Sequence, residues 1–143
     1  MLSKKQAQVF FFGGTILSFG VFLGLTWHTV AREVPKQTNA HNLTPEVIRG
    51  KEIWEANNCM GCHTLFGEGA YYAPELTRVY DRRGEGLIKS ILMSPVPWGP
   101  KGRKMVAYSM SDADAMAMVA FLKWCGEVDL NGFPPEPDLR TSK

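Results

Sequence analysis

Residues Cys59-Met60-Gly61-Cys62-His63 place two thiols two residues apart, with an imidazole directly after the second. Two thiols at this separation can add across the two vinyl groups of a porphyrin and form thioethers, since the gap matches the vinyl spacing. The imidazole of His63 then lies under the ring, where it can bind iron as an axial ligand. Gly61 keeps side-chain bulk away from the ring edge. The pattern predicts a single c-type haem held covalently by Cys59 and Cys62. Two other chemistries use the same residue types. A tetrahedral zinc site needs four ligands, and the remaining candidates, His28, His41 and Cys125, show no paired spacing. A thioredoxin-like dithiol needs a preceding strand and a βαβ context, whereas the flanks here read as helical or irregular. With two of the three cysteines used by haem, no pair is left for a disulfide. Cys125 reads as a small buried apolar residue.

A haem that only carries electrons keeps its sixth position closed, most often with a methionine. Met116 and Met118 fall inside the last predicted helix, where core filling explains them. Met93 ends a helix and is followed by Ser94-Pro95, and Met110 abuts a helix cap at Ser111. Met105 lies in the loop after Pro100-Lys101-Gly102-Arg103-Lys104, just ahead of the last helix. A ligand for the open haem face is best supplied from such a loop, so Met105 is the assignment, with Met110 and then Met93 behind it. Thioether ligation raises the reduction potential relative to two nitrogens. The outcome is an electron carrier with no open iron site for substrate and no catalytic residue of its own.

These residues need a scaffold. Thr44-Pro45-Glu46 is a helix start, with Thr as N-cap, Pro at the first helical position and an acid in the first turn. Val47, Gly50 and Trp54 recur on one face of that helix, which delivers the chain to Cys59 through Asn57-Asn58. Residues 64–86, with Gly67, Gly69, Gly84 and Gly86, read as a loop wrapping the haem, with one helical turn around Pro74–Tyr80. Leu87–Met93 reads as a short helix, and Pro95, Pro97 and Pro100 hold the next segment extended. Ser111 caps the last helix, which runs to Trp124 or Gly126 with a stripe of Ala115, Met118, Val119 and Leu122. That helix is expected to cross the first near Gly50, aromatic against glycine.

Ahead of this domain, Val9 to Val30 carries no charge. As a helix it would span about 33 Å, enough for a bilayer core. A cleaved signal peptide has a shorter apolar region and a small-residue cleavage site, and Thr29-Val30-Ala31 is a poor one. The reading is an uncleaved anchor. Lys4 and Lys5 on one side and Arg32 and Lys36 on the other leave the positive-inside rule undecided. Covalent haem settles the side. Attachment takes place outside the bacterial cytoplasmic membrane, so the N-terminus is expected in the cytoplasm and the haem domain in the periplasm. The organisation read from the chain is therefore a lead (1–8), a transmembrane helix (9–30), a linker (31–43), a haem domain (44–127) and an irregular tail (128–143). The fold class is all-α: one N-terminal transmembrane helix followed by a class I-like mono-haem cytochrome c domain.

The net charge of +2 over 143 residues gives no case for nucleic acid. Setting Lys4 and Lys5 aside, acidic and basic side chains balance. Arg82, Arg83, Lys101, Arg103 and Lys104 cluster in loops. They read either as a steering surface for an acidic donor or as an ordinary solvated surface.

The run Gly61-Cys62-His63-Thr64-Leu65-Phe66-Gly67-Glu68-Gly69-Ala70-Tyr71-Tyr72-Ala73-Pro74-Glu75-Leu76 resembles the haem-c subunit of bacterial cytochrome c-dependent nitric oxide reductase. Arg49-Gly50-Lys51, Trp54 with Asn57-Asn58, and Phe121-Leu122-Lys123-Trp124 extend the resemblance over nearly the whole chain. It implies a heterodimer with a large multi-span catalytic subunit. That partner holds haem b, haem b3 and a non-haem iron, and turns two NO into nitrous oxide. It also implies electron supply from a soluble periplasmic cytochrome c or cupredoxin. Cys59, Cys62 and His63 match the attachment and proximal positions, and Met105 matches the distal one. A calcium ion at the interface between the subunits maps to backbone oxygens of Gly69 and Tyr71. One departure stands out: the family's distal Met is usually followed by Pro, and here it is followed by Val106. The competing expectation is a stand-alone membrane-anchored shuttle, or a haem-c subunit of a terminal oxidase.

Overall fold

The structure, a computed structural model, describes residues 3–132. The chain divides into two compact units, Met1–Gln37 and Thr38–Lys143. The prolines of the tail, Pro134, Pro135 and Pro137, lie outside the described residues.

The first unit is one long helix. Helix α1 (Lys4–His28) opens on a capping box: the Ser3 hydroxyl accepts from the Gln6 N–H, and the Gln6 side chain accepts from the Ser3 N–H. These two bonds satisfy helix-end donors that hydrocarbon could not. None of its side chains is buried within the chain, and Phe10, Phe11, Phe12, Ile16 and Leu17 stand exposed. Such a surface costs heavily in water and nothing in lipid. The described residues contain one helix, Lys4–Gln37, long and apolar enough to cross a membrane. It continues beyond the predicted span through a π-helical turn, Thr29–Glu33, into α2 (Val34–Gln37). There the Val34 N–H donates to the Thr29 carbonyl. Pro35 follows and has no N–H to give, so the wider turn sits beside the residue that would break a regular ladder. Polar composition and a proline suggest a linker over this stretch; the backbone instead stays helical as far as Gln37.

The second unit is built on helices, with one short two-stranded sheet and one isolated antiparallel bridge among the described residues. Asn39 takes a left-handed conformation, and its side-chain amide donates to the Glu127 carbonyl at 2.6 Å, joining the start of the unit to the end of its last helix. Helix α3 (Pro45–Ala56) is capped by Thr44, whose hydroxyl accepts from the Val47 N–H at 3.3 Å. It buries Val47, Gly50, Ile53 and Trp54. Strands β1 (Thr64–Leu65) and β2 (Glu68–Gly69) pair antiparallel, with Thr64 opposite Gly69 and Leu65 opposite Glu68. Phe66 and Gly67 both take positive φ in the turn between them, the conformation that a two-residue hairpin demands. Helix α4 (Val79–Met93) is broken at Gly84, where φ is 71°. It begins well ahead of the predicted start at Leu87. Its glycines suggest a loop, but Gly84 is a kink and Gly86 is helical. Helix α5 (Asp112–Glu127) is capped by Ser111, whose hydroxyl accepts from the Asp114 N–H at 3.2 Å. Arg49 reaches Asp114 at 3.1 Å. That hydrogen bond, and a second from Ser111, hold the Asp114 carboxyl below the usual carboxylate range.

Helices α3 and α5 cross at Gly50, as the periodicity predicts. A Cβ on Gly50 would overlap the Ala117 carbonyl oxygen and stand 2.6 Å from the Phe121 Cβ. Around this crossing lie Trp54, Ala115, Met118, Val119, Leu122 and Cys125, all buried. Trp54 and Phe121 meet with ring centroids 6.0 Å apart. The obstacle is backbone, so the helices would have to separate to admit a side chain. Gly50→Ala is expected to cost about 2 kcal/mol or more, seen as a lowered thermal midpoint of the haem-loaded protein.

Candidate haem-attachment site

The site grows out of the end of α3. Asn57 closes the helix, with its side-chain amide donating to the Ile53 carbonyl at 2.8 Å. Asn58 then takes a left-handed conformation with φ 48° and turns the chain sharply. Asparagine tolerates this region better than most residues because its short polar side chain can bond locally. The turn leads into a 3-10 segment, Cys59–Gly61, that carries the first thiol. The His63 N–H donates to the Cys59 carbonyl at 2.9 Å, closing one helical turn over the whole motif. Two thiols and one imidazole are thereby gathered on a single rigid turn. Cys59 is buried and Cys62 exposed, and neither forms a disulfide. Burial pushes the Cys59 thiol up to about 11, helped by the neighbouring Cys62. Cys125 is buried as expected, and burial accounts for its thiol being pushed up to about 12.

His63 is oriented by the loop that follows. Its Nδ1 lies 2.8 Å from the Pro74 carbonyl oxygen. A carbonyl only accepts, so Nδ1 carries the proton and donates. The lone pair is then on Nε2, the atom free to bind iron. The loop is itself anchored to the motif. The Ala70 N–H donates to the Met60 carbonyl at 2.9 Å, the Ala73 N–H to the Cys62 carbonyl at 2.8 Å, and the Leu76 N–H to the Thr64 carbonyl at 2.9 Å. Farther along, Glu75 accepts from the Thr77 N–H at 2.6 Å and pairs with Arg82 at 3.6 Å. The Thr77 hydroxyl accepts from the Phe66 N–H at 2.8 Å. The Pro74 carbonyl is thus held from both sides.

The donor set suits a c-type haem. Trp54 stands beside the imidazole, ring centroids 6.4 Å apart. Three buried polar atoms have no hydrogen-bond partner among the described residues: Trp124 Nε1 on α5, and the Trp54 Nε1 and Thr64 Oγ1 of the residues that flank His63. Buried polar groups are normally satisfied, so this flank of His63 is shaped for more than side-chain packing. Among the described residues, no three His, Cys, Asp or Glu side chains cluster as a metal site.

Met105 sits on a separate hairpin. It pairs with Trp98 through two backbone hydrogen bonds of 3.1 and 2.8 Å, and it is half-buried against the core. Met110 is also half-buried against the core, whereas Met93 is 37% exposed at the end of α4. Gly69 lies in β2 opposite Thr64, with φ 120°, and a Cβ there would overlap the His63 carbonyl oxygen. Tyr71 is 81% exposed. Sequence reasoning passes over Tyr108. Tyr108 lines one cavity with Ile53, Ala56 and Asn57 at the end of α3, and its phenol is pushed up by burial and, less, by Cys59 and Cys62. An aromatic between Met105 and Met110 is the available signal. Sequence reasoning also passes over the Pro74 carbonyl, which no side-chain pattern could reveal.

The family model described as Cytochrome c matches residues 47–126, from α3 through α5. Three relatives are each named as the C subunit of nitric oxide reductase. The one from Stutzerimonas stutzeri is 45% identical over 141 residues, covering 95% of this chain and 96% of its own length. The one from Halomonas halodenitrificans is 38% identical over 146 residues, covering 95% and 96%. The one from Paracoccus denitrificans is 36% identical over 143 residues, covering 94% and 95%. This chain belongs to the family of nitric oxide reductase C subunits. Membership in the cytochrome c class carries with it a covalently bound haem c. The match runs through the apolar helix as well as the haem domain, so both units belong to the family pattern.

Gly69 tests how tightly the turn is framed. Gly69→Ala meets both a positive φ and the His63 carbonyl, and should destabilise the haem-loaded protein by about 2 kcal/mol or more. Thermal unfolding followed at the haem band will measure it.

Proposed function

We propose that this chain is the electron-entry subunit of a membrane-bound nitric oxide reductase. Cys59 and Cys62 would hold one haem c, and His63 and Met105 would be the protein ligands to its iron. The observation that supports this most directly is the His63 imidazole, pinned by the Pro74 carbonyl with Nε2 left free, in a chain of this family. A haem held there takes up and gives back one electron at a time. The residues do the rest. The turn Cys59–His63 fixes the ring on the protein, and the Pro74 carbonyl makes the imidazole a better ligand by drawing on its Nδ1 proton. The Met105 thioether favours the reduced iron and raises the potential. With His63 and Met105 both bound to the iron, the chain would have no place for NO itself. Catalysis belongs to the partner.

Electrons arrive from a soluble cytochrome c or a cupredoxin in the periplasm and leave to the haem b of the large multi-span partner. The helix Lys4–Gln37 anchors the chain in the bacterial inner membrane, with its N-terminus in the cytoplasm and the haem domain in the periplasm. Where the two subunits meet, the backbone oxygens of Gly69 and Tyr71 supply part of a calcium shell. Two carbonyls fall short of the six to eight oxygens that calcium takes, so the partner and water must complete it. Tyr71 is well placed for such a shared site because its exposure leaves it open to another chain.

Mild-detergent purification from the native membrane should yield one haem c with two haems b and turnover of NO with a reduced donor. Haem c alone, without turnover even after gentler extraction, would instead identify a free-standing shuttle. For the ligand, Met105→Ala should abolish the thioether-to-iron charge-transfer band of the oxidised haem c and lower its potential. A band that survives the substitution would move the ligand to Met110 or Met93.

A further inference from the structure

Three consecutive residues of the loop after the attachment turn each hold a different part of the site. Pro74 accepts from His63, and the Ala73 N–H donates to the Cys62 carbonyl, both at 2.8 Å. Tyr72 reaches the other way. Its carbonyl accepts from an Arg103 guanidinium N–H at 3.2 Å, and the guanidinium carbon lies 5.7 Å from the centre of the Tyr72 ring. Arg103 is on the hairpin that carries Met105. That hairpin is closed by the Trp98–Met105 pair and turned by Gly99 and Gly102 at positive φ. At Gly99, a Cβ would come within 2.8 Å of the Arg103 carbonyl oxygen, so the turn is tight around Arg103 itself.

From these contacts we infer that Arg103 is a positioning residue for the distal ligand. It straps the Met105 hairpin to the Tyr72–Pro74 loop, so that one short segment sets both the His63 side and the Met105 side of the iron. This rests on Met105 being the ligand. The guanidinium can do what an ammonium cannot do as well: it donates in its plane to a carbonyl while lying over a ring. Sequence reasoning groups Arg103 with Lys101 and Lys104, either as a surface that steers a donor or as an ordinary solvated one. In the structure its charge is engaged within the chain, on the Tyr72 carbonyl and ring.

The test uses the full chain in its complex and follows displacement of the thioether by added imidazole, read as loss of the haem c charge-transfer band. Arg103→Ala should speed displacement about five- to tenfold, the scale of one exposed cation–ring contact with a charge-assisted hydrogen bond. Arg103→Lys should recover part of that loss. Tyr72→Phe, which keeps both the carbonyl and a ring face, should stay near the wild-type rate. Arg49→Gln breaks the Arg49–Asp114 pair on α3 and α5 and should leave displacement unchanged. Equal rates for Arg103→Ala and wild type would overturn the inference. So would an equal acceleration by Arg49→Gln, which would mean general loosening. A change only in the rate of reduction by donor would make Arg103 a surface charge and would also overturn it. A charge-transfer band that persists in Met105→Ala would remove the ligand assignment itself, separately from the strap.

Discussion

The approach of α3 to α5 at Gly50 is the constraint from which the haem domain follows. At Gly50 the Ala117 carbonyl and the Phe121 Cβ occupy the space a side chain would need. Only glycine lets the two helices meet at this distance. Their contact buries Trp54, Met118, Val119, Phe121 and Leu122 together, and apolar burial of this kind is the main favourable term in folding. Because α3 ends within a few residues of Cys59, its placement also decides where the attachment turn stands. The core and the cofactor site are thus one construction.

On that base the site is framed by backbone more than by side chains. The motif is closed on itself by the His63 N–H and the Cys59 carbonyl. The loop of residues 70–76 is then laced to it through the carbonyls of Met60, Cys62 and Thr64. Backbone bonds of this kind depend little on side-chain identity, but they demand particular φ values. Asn58, Phe66, Gly67 and Gly69 all take positive φ within this short stretch. For Phe66 that conformation is strained, and the surrounding hairpin and the Thr77 hydroxyl hold it there. An electron carrier gains from such rigidity, since a site that hardly moves between oxidation states has little to reorganise.

The anchor answers to a different solvent. The second unit packs a set of apolar side chains into a core, whereas in α1 no side chain is buried. The same residue types serve both, because hydrocarbon takes the place of a protein core. The π-helical turn begins in the last two residues of the uncharged run and Pro35 follows beyond it, where the backbone leaves the apolar stretch and polar groups can satisfy it.

The sequence alone determined which chemistry to look for. Cys59, Cys62 and His63 stand out because a c-type haem would dictate their types and order, whatever the fold. The caps at Thr44 and Ser111, the Gly50 crossing, the buried Cys125 and the uncharged Val9–Val30 run were also legible, since each is a local rule of spacing or composition. What only tertiary structure decided was carried by backbone geometry and by contacts distant along the chain. The hairpin at Phe66-Gly67, the early start of α4 ahead of Gly84, and the helix running on through Pro35 all turn on φ values that glycine and proline permit but do not specify. The Pro74 carbonyl that fixes the His63 tautomer, the cavity that Tyr108 lines with the end of α3, and the Arg103 strap to Tyr72 join residues whose types suggest no partnership. A side-chain pattern records what a residue can do; which carbonyl or ring it meets is decided by packing.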